Sequence, residues 1–179
     1  MTTASVGTSP QRFGGYGRVT GHQKYVADIP LDDVLHVKLV TIRPAHARII
    51  SIDSSAAMQV PGVAFVMTPA DLPDPIPRYG PQYQDRPVLA VGEVKYHDEP
   101  VAAVAAETKE AAEEAAKLVV VEFEELPPIL SVEEALAPDA VLVQDPSIRS
   151  GPWVETNIIR EYDFGWEDVD ALEADYVIE

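Results

Sequence analysis

Apolar and polar positions change period twice within residues 101–124, and those changes mark three successive elements. Val101, Ala102, Ala103, Val104, Ala105 and Ala106 form an unbroken apolar run, the pattern of a strand covered on both faces. Thr108 then offers an N-cap oxygen, and Ala111, Ala112, Ala115, Ala116 and Val119 recur at helical spacing, which predicts a helix over Lys109–Leu118. Glu110, Glu113 and Glu114 early and Lys117 late suit the helix dipole, and the small apolar stripe would let the helix lie close on a sheet. Beyond it Val119, Val121 and Phe123 alternate with Val120, Glu122 and Glu124, a strand with an acidic outer face that Leu126, Pro127 and Pro128 end.

Upstream, residues 34–42 read as a strand with Leu35, Val37 and Leu39 on one face and His36, Lys38 and Val40 on the other. Residues 49–52 predict a second strand, Ser54 caps a helical turn through Met58, and Pro61 and Gly62 turn the chain into a strand over 63–67. Residues 72–87 hold five prolines, with Pro69 just before, so no regular structure is expected there. Ser131 and Glu134 form a capping box, with Leu130 and Ala135 as a hydrophobic staple. Residues 1–21, rich in Gly, Ser and Thr, read as a loose N-terminal arm. Residues 138–179 read as an extended tail anchored by Trp153 and Trp166, with a short helix over 168–174. A last strand candidate over 176–178 meets the chain end without a turn, the pattern of a chain cut short or completed by another polypeptide. The domain proper is then 22–137.

A chain of 179 residues, 46% hydrophobic, is long enough for one domain with a core, and no run reaches membrane-spanning length. The net charge of -17 disfavours nucleic acid and anionic membranes as partners. With no cysteine the chain supports no disulfide, no thiolate zinc site and no iron–sulfur cluster of its own. Polar residues follow Met1 with no apolar signal core, so the expected location is cytoplasmic.

Candidate chemistry is sparse. His22, His36, His46 and His97 lie in separate segments and match no metal-ligand spacing. His97, Asp98 and Glu99 together suit either a divalent ion or a turn before Pro100. Gly14, Gly15 and Gly17 lack the preceding strand and following Lys-Ser or Lys-Thr of a phosphate loop and read as a flexible loop. Glu122 and Glu124 share one strand face, as an acid–base pair would, but equally as a plain wet face. Ser54, Ser55, Ser131, Ser147 and Ser150 show no nucleophile elbow. Only the loop 76–86 has the composition of a binding surface, because Arg78, Tyr79, Tyr83 and Arg86 combine stacking faces with cationic forks.

The order of several short motifs resembles one known family. Arg18, Val19, Thr20, Gly21, Lys24, Tyr25, Ala27, Asp28 and Ile29 come first, then Pro44, Ala45, His46, Ala47, Arg48 and Ile49. Ile52, Asp53, Ser54, Ala56, Ala57, Pro61, Gly62, Val63, Thr68, Ala70, Asp71 and Leu72 follow, then Glu107, Thr108 and the helix with Val121, Glu122, Phe123, Glu124, Glu125, Leu126 and Pro127. Gly165, Asp168, Val169, Asp170, Ala171, Ala174, Asp175, Val177 and Glu179 close the series. Taken together they resemble the a/b hammerhead domain at the N-terminus of the large, molybdenum-binding subunit of the xanthine dehydrogenase and aldehyde oxidase family. One departure stands out: that family more often has a glycine and an amide residue before the proline that is Pro100 here.

The resemblance implies an α+β hammerhead, a twisted mixed β-sheet with packed helices. It also implies a whole enzyme that hydroxylates aldehydes or N-heterocycles with oxygen from water, using a molybdopterin-type molybdenum cofactor, iron–sulfur clusters and FAD. This segment would bind none of them and would be inactive alone; its partners would be the molybdenum-binding domain of the same subunit and the iron–sulfur and flavin domains or subunits. The loop carrying Arg78, Tyr79, Tyr83 and Arg86 would lie near the funnel to the metal centre, as a substrate-access surface. Two other readings stand beside it. One is a freestanding interaction or small-ligand binding module of the same fold. The other is an autonomous acid–base enzyme using His97 or the Glu122 and Glu124 face, which requires turnover by the purified chain.

Overall fold

A computed structural model of the chain describes residues 7–81, 83–165 and 176. Trp166, the helix expected over 168–174 and most of the strand expected over 176–178 lie outside the described residues. The chain divides into two units, Met1–Leu35 and His36–Glu179.

In the first unit, the helix α1 (Gly15–Val19) forms where a flexible loop was expected. Gly14 explains the difference: its φ of 70° supplies the left-handed entry that other residues resist. Arg18 Nε donates to Gln23 Oε1 at 2.9 Å, and Gln23 N to Gly17 O at 2.9 Å, folding the chain back on the helix. A single 3-10 turn follows at Val26–Asp28.

Among its described residues the second unit holds eight strands: β1 (His36–Thr41), β2 (Ala47–Asp53), β3 (Val63–Met67), β4 (Arg78–Tyr79), β5 (Arg86–Pro87), β6 (Glu93–Val94), β7 (Pro100–Ala106) and β8 (Val120–Glu125). Helix α2 (Lys109–Leu118) joins β7 to β8, and α3 (Val132–Ala135) follows. The α+β class is the one expected. Within it, every described pairing is antiparallel, and the strands divide into a β1-β7-β3 sheet, a β6-β2-β8 sheet and a β4-β5 hairpin rather than one mixed sheet. The reason lies in α2, which leaves β7 in one sheet and delivers the chain to β8 in the other, so the crossover creates no parallel neighbours.

Thr108 caps α2 as expected, its Oγ1 accepting from Ala111 N at 3.1 Å. Ala112 and Ala115 are buried, so the helix seats its small stripe on the sheet below. Val40, Val66, Val101, Ala102, Val104 and Ala115 join Ala47 and Val94 of the second sheet in one core. The faces of β1 are the reverse of a simple hydrophobic count. Val40 is the buried residue, while Leu35, Val37 and Leu39 are exposed, because α2 covers the other side. For the same reason β7 buries Ala102, Val104 and Ala106 but leaves Ala103 and Ala105 only half-buried. The opposite face of the run is covered at Val101, which is fully buried, and open along Ala103 and Ala105.

Local caps also differ in detail. Ser131 Oγ accepts from Glu134 N at 3.1 Å as the capping box requires, but Glu134 Oε2 reaches back to Leu130 N at 2.8 Å, and Leu130 stays exposed, so the staple does not form. The turn after β2 is a 3-10 segment, Ala57–Gln59, entered through Asp53, whose Oδ1 accepts from Ser55 N at 2.9 Å in place of a Ser54 side-chain cap.

Candidate functional site

The proline-rich segment is more ordered than its composition suggests: β4 and β5 pair Arg78 with Pro87 and Tyr79 with Arg86. Gly80 makes the tip possible, since a Cβ there would collide with Tyr83 O. Arg78 Nη1 donates to Asp85 O at 3.0 Å across the hairpin.

Residues 143–159 close over this hairpin as a strap. Lys95 Nζ donates to Val143 O at 2.7 Å, and Gln144 Nε2 donates to Asp85 Oδ2. Asn157 knits the strap to itself and to α3, accepting from Val143 N at 2.9 Å and donating to Val141 O at 3.0 Å and Ala135 O at 3.1 Å. Arg149, only 8% exposed, donates to Thr156 O and Ile158 O and covers the Tyr83 ring. Asp145 Oδ1 accepts from Ser147 N at 2.9 Å and starts the 3-10 turn Pro146–Ile148; that bond holds its carboxyl below the usual range. Gln144 Oε1 and Arg149 Nε are buried without a hydrogen-bond partner, and such a group costs about 1–3 kcal/mol.

Between hairpin, strap and the β6 region lies an open cleft of about 910 Å³. Arg78, Arg86 and Lys95 line it together with Asp85, Glu99 and Asp145, with Pro87, Val91 and Ile148 among its apolar walls. Glu99 is 6% exposed and its Oε2 accepts from Lys95 N at 2.6 Å; burial raises its carboxyl pKa despite that bond. Burial, followed by the Glu99 charge, raises the Tyr96 hydroxyl as well.

Of the four residues singled out from sequence, Arg78 and Arg86 line this cleft. Tyr79 is exposed beside them, and Tyr83 is half-buried under Arg149. Sequence reasoning missed Lys95, Gln144 and Arg149 and considered Glu99 only together with His97 and Asp98; the Lys95–Glu99 turn lies about fifty residues from Gln144 and Arg149 along the chain. Arg149 itself, one of two cations in the proline-punctuated tail, was the available signal.

The other candidates stay apart. His97 and Asp98 form the turn before Pro100, where His97 Nδ1 donates to Arg43 O. Glu122 accepts from Ser51 Oγ at 2.7 Å and Glu124 from Arg48 Nη1 at 2.7 Å, so both belong to cross-strand pairs. His46 Nδ1 contacts Pro127 O at 2.8 Å, and His22 Nδ1 contacts Thr20 Oγ1 at 2.9 Å. Among the described residues no three His, Asp or Glu groups converge as metal ligands. No described helix is long and apolar enough to cross a membrane. The arrangement suits binding and shape rather than proton transfer.

Residues 20–127 match the family described as aldehyde oxidase and xanthine dehydrogenase, a/b hammerhead domain. A xanthine dehydrogenase of Dictyostelium discoideum is 35% identical over 152 residues, 82% of this chain and 11% of that protein. Quinoline 2-oxidoreductase from Pseudomonas putida 86 shares the fold with a TM-score of 0.69 and 37% identity, over 78% of this chain and 19% of that one. The Cu,Mo-CO dehydrogenase in its carbon monoxide reduced state gives a TM-score of 0.66 and 36% identity, over 76% and 17%. The chain spans between 11% and 17% of the length of the first curated relatives it matches.

Proposed function

Since the chain belongs to the aldehyde oxidase and xanthine dehydrogenase a/b hammerhead family, we propose that it is a non-catalytic scaffold domain of a molybdenum hydroxylase large subunit. The observation that carries this reading is the family match over 20–127 combined with the small share of each relative that the chain represents. Residues 22–137 are the hammerhead, 1–21 an arm, and 138–179 lead toward a molybdenum-binding domain of the same subunit. The whole enzyme hydroxylates aldehydes or N-heterocycles in the cytoplasm, with iron–sulfur and flavin domains or subunits as partners.

The described residues show no seat built for the molybdenum cofactor. The cleft mixes Arg78, Arg86 and Lys95 with Asp85, Glu99 and Asp145 and so singles out no phosphate, and no described cluster offers ligands for a metal. Without cysteine the chain cannot ligate an iron–sulfur cluster. Its contribution is therefore positional: a rigid sheet and helix core holding a hairpin whose Arg78 and Arg86 face an open cleft, as a substrate-access wall. In such enzymes the cofactor supplies the redox chemistry and the protein supplies binding and orientation.

Co-expression with the large-subunit remainder and candidate iron–sulfur and flavin polypeptides tests the reading. Co-elution of the chain with iron–sulfur and flavin absorbance is expected. A chain that elutes alone, with its intended partners assembled without it, would overturn it.

A further inference from the structure

The β1-β7-β3 sheet has a second face that is closed at Val101, which is fully buried, and open beyond it along Ala103 and Ala105. Register places Val37, Ala105 and Phe65 in one row across the three strands and Leu39, Ala103 and Met67 in the next. All six are apolar, and their large members are well exposed: Val37 63%, Leu39 50%, Phe65 44% and Met67 36%. Ala102, Val104 and Ala106 of β7 are buried on the α2 side and Val101 on the other, which leaves Ala103 and Ala105 half-buried in the open part of the face. The register thus gathers four exposed large apolar side chains on one uncharged stretch of a chain whose net charge is -17.

We propose that this face is the seat of another part of the same large-subunit polypeptide, an apolar and uncharged surface delivered by the chain beyond this segment. This rests on the scaffold reading above. Three observations select that occupant. The relatives carry roughly six to nine times the length matched here, as their matched shares of 17% and 11% imply, so on the scaffold reading the occupant would be supplied in cis. Three strands about 4.8 Å apart and two rows about 7 Å apart give a patch of roughly 200 Å², whereas a stable interface between free partners takes about 800 Å² from each side. A covalently linked partner needs far less, because linkage raises its effective concentration. Finally, a second copy would bring together two surfaces that each belong to a chain of charge -17, which long-range repulsion opposes.

Hydroxyl-radical footprinting decides it. Met67 and Phe65 are compared between the 179-residue chain and the assembled full-length large subunit, with the exposed Met58 as an internal standard and the buried Leu89 as the reporter of folding in each sample. The expected result is at least a tenfold drop in labelling of Met67 and Phe65 relative to Met58 on assembly. Equal labelling in an assembled, molybdenum-containing subunit would overturn the docking proposal and leave the scaffold reading intact. Absence of molybdenum from that subunit would instead overturn the scaffold reading. Protection of Met67 in the short chain that rises with its concentration would identify a second copy as the occupant and also overturn the docking proposal.

Discussion

The guanidinium carbon of Arg149 stands 5.6 Å from the centroid of the Tyr83 ring, and this contact joins the strap to the hairpin that carries Arg78 and Arg86. The same guanidinium holds Thr156 O and Ile158 O, so one buried side chain fixes both sides of the cleft. Arg149→Ala is expected to lower stability by about 2 kcal/mol and to open residues 143–159 to protease. Arg149→Lys should recover little, since an ammonium cannot fork to two carbonyls while stacking on the ring. Urea unfolding with limited proteolysis checks both; a wild-type cleavage pattern in Arg149→Ala would contradict this role.

Tyr83→Ala, in the assembled enzyme, removes the ring under Arg149 and should shift substrate preference or affinity in the same direction as Arg149→Ala. Steady-state kinetics with several aldehydes and N-heterocycles provide the measurement. Unchanged kinetics in both variants would remove the access role from this loop.

Asp98 takes a φ of 60°, the left-handed region, at the position where the resembled family more often has glycine. The turn therefore holds a residue with a side chain in a strained conformation, offset in part by Thr41 Oγ1 donating to its Oδ1 at 3.2 Å. Asp98→Gly should be neutral or slightly stabilising, whereas Asp98→Val should cost about 1–2 kcal/mol. Both variants lose the Thr41 bond, so their difference isolates the backbone. Equal melting temperatures for the two would refute the strain.

Glu99 gives the chain an opposite pH response to its surface carboxylates. Burial raises its folded pKa, so the stability it contributes is fully present below the unfolded value of about 4.3 and is lost as pH rises through the raised folded value. Asp53, Asp71 and Asp145 run the other way: bonds from Ser55, Thr68 and Ser147 hold their pKa values down, and their contribution fades as pH falls. Glu99→Gln keeps an acceptor for Lys95 N and removes the charge. Its stability relative to wild type should therefore grow from acid to neutral pH, as urea titrations at several pH values would show; a constant difference would contradict the burial effect.

Local chemistry made part of this structure legible in the sequence. Thr108 and the alanine stripe of α2 state their roles within one or two turns, as does the alternation of β8. Which face of β1 is buried depends on where α2 lies, a tertiary fact that the pattern Leu35, Val37, Leu39 misrepresents. The cleft was harder still. Arg78 and Arg86 announced themselves by composition, but Gln144 and Arg149 acquire meaning only when the strap closes over the hairpin, through bonds spanning as many as 59 residues. Gly14 misled for the opposite reason: a glycine cluster suggests looseness, yet one left-handed glycine started a helix.

Molybdenum analysis tests the central claim most directly, applied in parallel to the purified 179-residue chain and to the large subunit assembled with its partners. The account predicts stoichiometric metal in the assembled enzyme and none above background in the chain alone. Stoichiometric molybdenum in the isolated chain, with oxidation of an aldehyde or a purine, would contradict it.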